Sequence, residues 1–254
     1  ESSNYETDYA YHFDAVGIGK VLKEYSTDLG VEHIIDTVQE VIQTGDGQIS
    51  GVQSENFGIT EADFFVDCTG FSSQLICKKL DVPFISYKSM LFNDRAVAMP
   101  TPLPEDGNLP CQTISKAARS GWIWNIPLKN RFGNGYVYSS DFLNEADAEK
   151  ELREHLGTLE SSIEARHLKM RVGRLSHCWE KNCLAVGLSQ GFIEPLEATA
   201  LMVVQDTVEI FLENFVRGEL SDTYKEQANE KVNLIFDGIK NYIVTHYKLN
   251  SRSD

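Results

Sequence analysis

Short apolar runs, separated by polar and glycine-containing turns, define the elements of the N-terminal third of the chain. Between Phe13 and Leu29 the apolar residues recur at helical spacing, which predicts a helix. The sequence Gly45-Asp46-Gly47 predicts a hairpin turn between two of the strands that follow. We expect a three-stranded meander whose strands are Val31 to Ile35, Asp36 to Gln43 and Gln48 to Ser54. A further strand is expected at Ala62 to Asp67 and a second helix at Ser72 to Leu80.

After Val82 the pattern changes to longer strands, which predict an antiparallel sheet reaching to about His177. A helix from Glu145 to Leu156 interrupts the strands, which are expected at Leu91 to Met99, Gly121 to Leu128, Gly135 to Ser140 and His167 to Arg174. A proline cluster predicts a loop at the sheet edge, formed by Pro100, Pro102, Pro104 and Pro110.

Strict alternation in the predicted strand Gly121 to Leu128 places two indoles on one face. Trp122, Trp124 and Ile126 share that face, and the residues between them share the other. The two tryptophans form an aromatic wall there, although ordinary core packing of a strand explains the same spacing.

An apolar strand, Asn182 to Gly187, runs through a glycine-containing loop into Pro195 and a further helix. Pro195 suits a first helical turn, so the helix is expected to begin there and to end near Asn214. Its start offers free N–H groups to an anion or to an electron-rich cofactor edge. Of the two carboxylates in this turn, Glu194 and Glu197, one is expected to be shielded enough for proton chemistry. The predicted core positions of the helix are Leu201, Val204, Val208, Ile210 and Phe211.

Composition excludes several classes of function. The chain has 254 residues, of which 42% are hydrophobic and 24% charged, enough for one large domain or two small ones. A net charge of −15 argues against nucleic acid or an anionic membrane as a partner. No apolar run approaches the roughly 20 residues of a membrane-spanning helix.

The cysteines predict neither a disulfide framework nor a metal site. Five is an odd number, and no C-x-x-C pair occurs. The cysteines are therefore interpreted as the reduced thiols of a cytoplasmic protein. His177 stands beside Cys178, but no partner pair lies at metal-ligand spacing, so no metal is expected.

Taken together, several strings resemble the flavin-dependent tryptophan halogenase family over essentially the whole chain. The most specific is the Trp-x-Trp-x-Ile-Pro pattern within GWIWNIPL. The others are YAYHFDA, FVDCTGFSSQLI, RFGNGYVYSS, FIEPLEATAL and IVTHYKLNSRSD.

The resemblance implies an α/β (α+β) fold of the FAD-dependent monooxygenase-like type, with two dinucleotide-binding domains, present in part, and an antiparallel substrate sheet. Residues 1–81 are expected to belong to the FAD-binding domain, 82–177 to the substrate region, and 178–254 to the return to the FAD-binding domain with C-terminal helices. The family's G-x-G-x-x-G turn and catalytic lysine are not in this sequence: Gly17-Ile18-Gly19 lacks the third glycine, has Leu22 in its place, and is interpreted as helix packing. The chain therefore resembles an internal fragment, which is expected to be inactive by itself.

The implied activity is that of a halogenase in which reduced FAD, oxygen and chloride or bromide give hypohalous acid, which halogenates tryptophan or another electron-rich aromatic. A separate flavin reductase supplies the reduced FAD. By position in the family motif, Glu197 is the catalytic residue, and Thr199 and Ala200 bind the halide. Cofactor contacts fall on Leu188, Leu201, Val38 and Pro195, and Trp122 and Trp124 wall the tunnel between flavin and substrate.

Two departures from the family pattern leave halide choice open more than the reaction. Ala198-Thr199-Ala200 stands where many members have Ser-Thr followed by Gly or Ser, and Ser72 stands where many have Arg. Two alternatives also stay open: an FAD-dependent monooxygenase that hydroxylates or epoxidises, and a non-catalytic flavin-binding relative.

Overall fold

The computed structural model describes residues 9–105 and 108–252. The predicted first helix is observed as α1 (Ala15–Asp28), which Asp14 caps by accepting a hydrogen bond from the N–H of Gly17. None of its residues is buried, and a Cβ added at Gly19 would meet nothing within 4 Å. The interpretation of Gly17 and Gly19 as helix-packing glycines was therefore wrong for the described residues.

The meander is present, but its strands differ from those predicted. It consists of β1 (Val38–Gln43), β2 (Ile49–Ser54) and β3 (Gly58–Glu61), paired antiparallel in that order. The predicted strand Val31 to Ile35 was wrong, because this exposed segment pairs with no strand among the described residues and is irregular. The carboxylate of Asp36 instead ties it to the β2–β3 turn by accepting N–H bonds from Asn56, Thr37 and Phe57, which lower its pKa to about 2.

A second small sheet joins distant parts of the chain. In it β4 (Phe65–Asp67) pairs parallel with β13 (Cys183–Ala185), which pairs with β12 (Trp179–Glu180). The segment after β4 is not the α-helix predicted from Ser72 to Leu80, but a 3₁₀ turn, Gly70–Ser72, and a π-helix, Gln74–Lys79. The reason is the buried carboxylate of Asp67, which accepts N–H bonds from Thr69, Leu75 and Ile76 and draws this segment into a tight turn.

The predicted antiparallel sheet of the middle region is confirmed. The strands are β6 (Arg95–Thr101), β7 (Ile114–Ala118), β8 (Gly121–Pro127), β9 (Phe132–Tyr138) and β10 (Arg166–Lys169). Their order in the sheet is β10-β6-β9-β8-β7, and every neighbouring pair is antiparallel. Helix α2 (Glu145–Leu156) has the predicted bounds and covers one face of the sheet. Pro100 lies inside β6 rather than in the predicted loop.

The strand predicted from His167 to Arg174 is two strands in different sheets. After β10 the chain turns into β11 (Gly173–Leu175), which lies between β14 (Gly191–Phe192) and β5 (Phe84–Ser86). Gly173 makes this change of sheet possible: its φ is 139°, and an added Cβ would lie 2.1 Å from the carbonyl oxygen of Ile85.

Two C-terminal helices, α3 (Ala200–Arg217) and α4 (Lys225–Lys248), pack on the largest core cluster. The buried face of α3 consists of Val203, Thr207, Phe211 and Asn214. Of the predicted core positions Phe211 is buried, whereas Leu201 and Val208 are exposed. No helix among the described residues is long and apolar enough to cross a membrane.

Candidate functional site

The turn between β14 and α3 is the centre of the site. Pro195 does not begin the helix as predicted, because α3 starts five positions later, at Ala200. The two glutamates therefore lie in an irregular turn, which the N–H of Leu196, bonded to the carbonyl oxygen of Glu194, helps to close. Ala198 has a left-handed backbone (φ 53°), a conformation that costs a non-glycine residue free energy and that clusters at functional sites.

This turn closes one side of a cavity of about 860 Å³. The opposite side is the face of the antiparallel sheet that α2 does not cover. Trp122 and Trp124 lie together on that face with ring centroids 6.0 Å apart, as the alternation predicted. The lining residues that the site uses are Trp122, Trp124, Leu188, Pro195, Glu197 and Ala198.

Glu197, the expected catalytic residue, lines the cavity with a side chain that is 40% exposed. Its Oε1 lies 2.9 Å from Nε2 of His246, on the last turns of α4. The other ring nitrogen, Nδ1, lies 3.0 Å from the carbonyl oxygen of Tyr242, and the Tyr242 ring meets the imidazole edge to face. Helix α4 thus orients the histidine, and the histidine supports the Glu197 carboxylate.

Glu194 is the shielded carboxylate of the two, with only 1% of the residue exposed. Its Oε2 accepts hydrogen bonds from Nδ2 of Asn93 (2.8 Å), Nε1 of Trp122 (2.8 Å) and the hydroxyl of Tyr247 (2.6 Å). Burial, followed by the nearby charge of Glu194, raises the pKa of the Tyr247 hydroxyl, so Tyr247 stays a proton donor in this network.

The residues expected to bind halide lie at the start of α3. Thr199 occupies the N-cap position, but its side chain makes no capping hydrogen bond. Within the described residues, the backbone N–H groups of Thr199 and Ala200 have no hydrogen-bond acceptor. The helix therefore presents uncompensated donors, together with the positive end of its dipole, beside the cavity.

Four residues were expected to contact the cofactor, and the structure brings three of them to the site. Leu188 lines the large cavity and also an adjoining apolar cavity of about 190 Å³. Leu201 lines the smaller cavity with Thr199 and Ala200, and Pro195 lines the larger one. Val38 lies apart, on β1, where it pairs with Ser54.

Three residues of the site were not singled out from the sequence. His246 and Tyr247 lie within the string IVTHYKLNSRSD, which contributed to the family resemblance but received no role. No sequence pattern around Asn93 indicates that it belongs to the site. All three reach the glutamates only through tertiary packing.

The described residues also contain no group of three His, Cys, Asp or Glu side chains arranged to hold a metal ion. All five cysteines are free thiols. Burial raises the pKa of both Cys178 and Cys183 to about 12, so neither supplies a thiolate at neutral pH.

The model of the tryptophan halogenase family matches residues 1–254. The chain is 42% identical over 248 residues to 7-chloro-L-tryptophan 6-halogenase KtzR of Kutzneria sp. (strain 744), covering 97% of this chain and 48% of that protein. It is 41% identical over 247 residues to tryptophan 6-halogenase SttH of Streptomyces toxytricini, covering 97% and 47%.

Solved structures of flavin-dependent halogenases have the same fold as this chain. The crystal structure of SttH superposes with a TM-score of 0.92 at 40% identity, over 96% of this chain and 48% of that one. Xcc4156, a flavin-dependent halogenase from Xanthomonas campestris, superposes with a TM-score of 0.91 at 32% identity, over 100% of this chain and 51% of that one. The chain thus spans about half the length of the relatives it matches. A family model that matches from the first residue to the last, together with a fold shared at this identity, shows that the chain belongs to the tryptophan halogenase family.

Proposed function

We propose that the protein containing this chain is a flavin-dependent halogenase, and that the turn before α3 is the part of its active site that this chain supplies. One observation carries the proposal: a single turn brings the Glu197 carboxylate to a cavity walled by Trp122 and Trp124, and the uncapped start of α3 to the smaller cavity that adjoins it at Leu188. The proposed base, the proposed anion site and the aromatic wall are therefore neighbours around this one turn.

The apolar surfaces around the turn suit a flavin ring. Leu188 and Leu201 line a small apolar cavity, and Pro195 lines the larger one. We assign these three residues to contacts with the FAD ring, and Val38 to contact with a more distant part of the cofactor. Bound reduced FAD would supply two of the four electrons that reduce oxygen, and the halide would supply the other two as it is oxidised to hypohalous acid.

Thr199 and Ala200 hold the halide through their backbone N–H groups. An anion at the start of an eighteen-residue helix is stabilised both by these donors and by the helix dipole. Ala200 adds only a methyl group here and leaves its N–H available, so chloride and bromide are both candidates.

Glu197 is the base of the aromatic substitution. Hypohalous acid adds its halogen to a ring carbon, and its bond between oxygen and halogen breaks with hydroxide as the leaving group. The C–H bond at that carbon then breaks, its electron pair restores the aromatic ring, and the proton passes to the Glu197 carboxylate. Glu197 then gives this proton to the hydroxide, which becomes water. The contact with His246 keeps the carboxylate oriented at the cavity wall.

The relatives suggest the substrate class. SttH is named a tryptophan 6-halogenase and KtzR a 7-chloro-L-tryptophan 6-halogenase, and by analogy we assign tryptophan or another electron-rich aromatic to this protein. A separate flavin reductase completes the system. Five free thiols fit a cytoplasmic location, where thiols stay reduced.

The full-length protein, supplied with a flavin reductase, FAD, tryptophan and chloride or bromide, is the preparation that tests the proposal. Mass spectrometry of the product is expected to show halogenated tryptophan. Glu197→Gln is expected to lower kcat by about 10²-fold to 10⁴-fold with little change in KM, because it removes the base and keeps the shape.

Glu180→Gln is the matched control, since Glu180 pairs with His177 at 3.2 Å outside the site and its loss should leave turnover unchanged. A hydroxylated product would support a monooxygenase instead. Tight FAD binding with no product from any halide or indole would support a non-catalytic relative.

A further inference from the structure

Behind the aromatic wall lies a buried carboxylate that the proposed reaction does not use. One oxygen of Glu194 gathers donors from three separate parts of the fold: Asn93 ahead of β6, Trp122 on β8 and Tyr247 at the end of α4. The four residues therefore join the substrate sheet, the catalytic turn and the C-terminal helix at one point.

Ordinary packing does not account for this arrangement. Glu194 is almost fully buried, its other oxygen, Oε1, has no hydrogen-bond partner, and no ion pair is formed by it among the described residues. Burying a carboxylate without a cation is costly, and an apolar side chain of the same size packs without that cost. Glu194 is useful where it stands because it is the acceptor of the three donors around it.

Trp122 connects the buried carboxylate of Glu194 to the cavity wall. Its indole N–H is bonded to Glu194, while its ring lies against Trp124 and lines the cavity. The ring of a tryptophan turns about two side-chain bonds, and a fixed acceptor for the N–H selects one orientation. Without the acceptor, the N–H is left unsatisfied in the core or turns towards the cavity.

We propose that Glu194 is a positioning residue for halogenation, which fixes the Trp122 indole so that hypohalous acid is confined to its path towards the substrate. This inference rests on the proposed function. Glu194 acts through Trp122 and touches neither halide nor substrate. If Glu194 is replaced, we expect hypohalous acid to form at the flavin but to escape into solvent before it halogenates the aromatic.

A double-mutant cycle in the full-length enzyme tests this. Glu194→Leu removes the acceptor at similar volume, Trp122→Phe removes the donor and keeps a ring, and Glu194→Gln keeps one acceptor oxygen. The measurement is coupling, the halogenated tryptophan formed per oxygen consumed, with escaping hypohalous acid trapped by a 1,3-diketone. Glu151→Leu is the matched control, since Glu151 accepts a hydrogen bond from Tyr136 on the sheet face that α2 covers.

Glu194→Leu is expected to lower coupling about tenfold or more, because a misplacement of about an ångström costs up to 10²-fold in a positioned reaction. Glu194→Gln should recover most of it, Glu151→Leu should match the wild type, and the double variant should be no worse than Trp122→Phe alone. Wild-type coupling in Glu194→Leu, or additive losses in the double variant, would overturn the proposal. If Glu194→Leu does not fold, a loss of coupling in Glu194→Gln equal to that in Trp122→Phe would overturn it as well.

A spectroscopic readout separates this inference from the proposed function. In ¹⁵N-tryptophan spectra, the indole resonance missing from Trp122→Phe identifies Trp122. Its N–H is expected to exchange slowly with solvent in the wild type and in Glu194→Gln, and quickly in Glu194→Leu. If the wild type yields no halogenated product, the proposed function fails while this exchange still tests the positioning. If the wild type halogenates and exchange in Glu194→Leu is unchanged, only the positioning fails.

Discussion

Two carboxylates three positions apart in one turn have opposite environments. Glu197 is partly exposed at the cavity and pairs with a histidine, whereas Glu194 is buried among neutral donors. This difference fits the two proposed roles, in which the accessible carboxylate exchanges protons and the buried one positions Trp122. The sequence predicted that one of the two is shielded enough for proton chemistry and left open which. The structure shields Glu194, whereas the proposed base is the partly exposed Glu197.

At the same scale, Gly173 is expected to be irreplaceable. Gly173→Ala places a Cβ 2.1 Å from the carbonyl oxygen of Ile85 at a φ of 139°, so both the clash and the backbone conformation destabilise the fold. We expect a loss of about 2–4 kcal/mol in the free energy of unfolding, measured by urea denaturation.

Gly19→Ala is the control for that substitution. Gly19 lies within α1, and a Cβ added there meets nothing within 4 Å. Alanine is the better helix former, so this variant should be more stable by about 0.5–1 kcal/mol. Equal stability of the Gly173→Ala variant and the wild type would contradict the structural role of Gly173.

At the scale of elements, polar side chains rather than strand pairing alone fix how the sheets meet. Asp94, just before β6, accepts hydrogen bonds from both the N–H and the hydroxyl of Ser140, which follows β9, and pairs with Lys88 and Arg95. Burial by itself raises the pKa of this carboxyl, but Ser140, Lys88 and Arg95 outweigh it and lower the pKa below its usual value.

A lowered pKa makes Asp94 a source of acid sensitivity. Its contribution to stability is present above the pKa of an unfolded aspartate, about 3.9, and is lost as pH falls through the lower pKa of the folded state. Asp94→Asn should therefore be less stable than the wild type at neutral pH, and the difference should shrink below about pH 4. Urea midpoints measured from pH 2.5 to 7 check this, and a difference independent of pH would contradict it.

At the scale of the whole molecule, charge sets the expected response to salt. A net charge of −15 destabilises a compact chain by self-repulsion, which added ions screen. Tm is therefore expected to rise between low and moderate ionic strength with any simple salt.

The proposed halide binding predicts an effect on Tm that charge screening does not explain. At equal ionic strength, sodium chloride or bromide should raise Tm more than sodium gluconate, because a bound ligand stabilises only the folded state. The comparison, made by scanning fluorimetry on the full-length protein, tests the anion site at the start of α3. Identical curves in the three salts would argue against a halide site of useful affinity.

The sequence by itself determined the features that depend on neighbours along the chain. Alternation placed Trp122 and Trp124 on one face, helical spacing gave α2 its bounds, and successive strands predicted the antiparallel sheet. The family was recognised from short strings of consecutive residues, and the family model confirms it. These features rest on periodicity, which is a local property.

Only the tertiary structure decided the rest, because it depends on groups that are remote in sequence. The burial of Glu194 requires donors 101, 72 and 53 positions away, and no local pattern records them. Two local predictions failed for the same reason: Asp67 accepts hydrogen bonds from the 70–79 segment, and the 31–35 segment has no partner strand in the part of the chain that the structure describes. Packing therefore decides which of the two carboxylates is accessible at the cavity and which is buried.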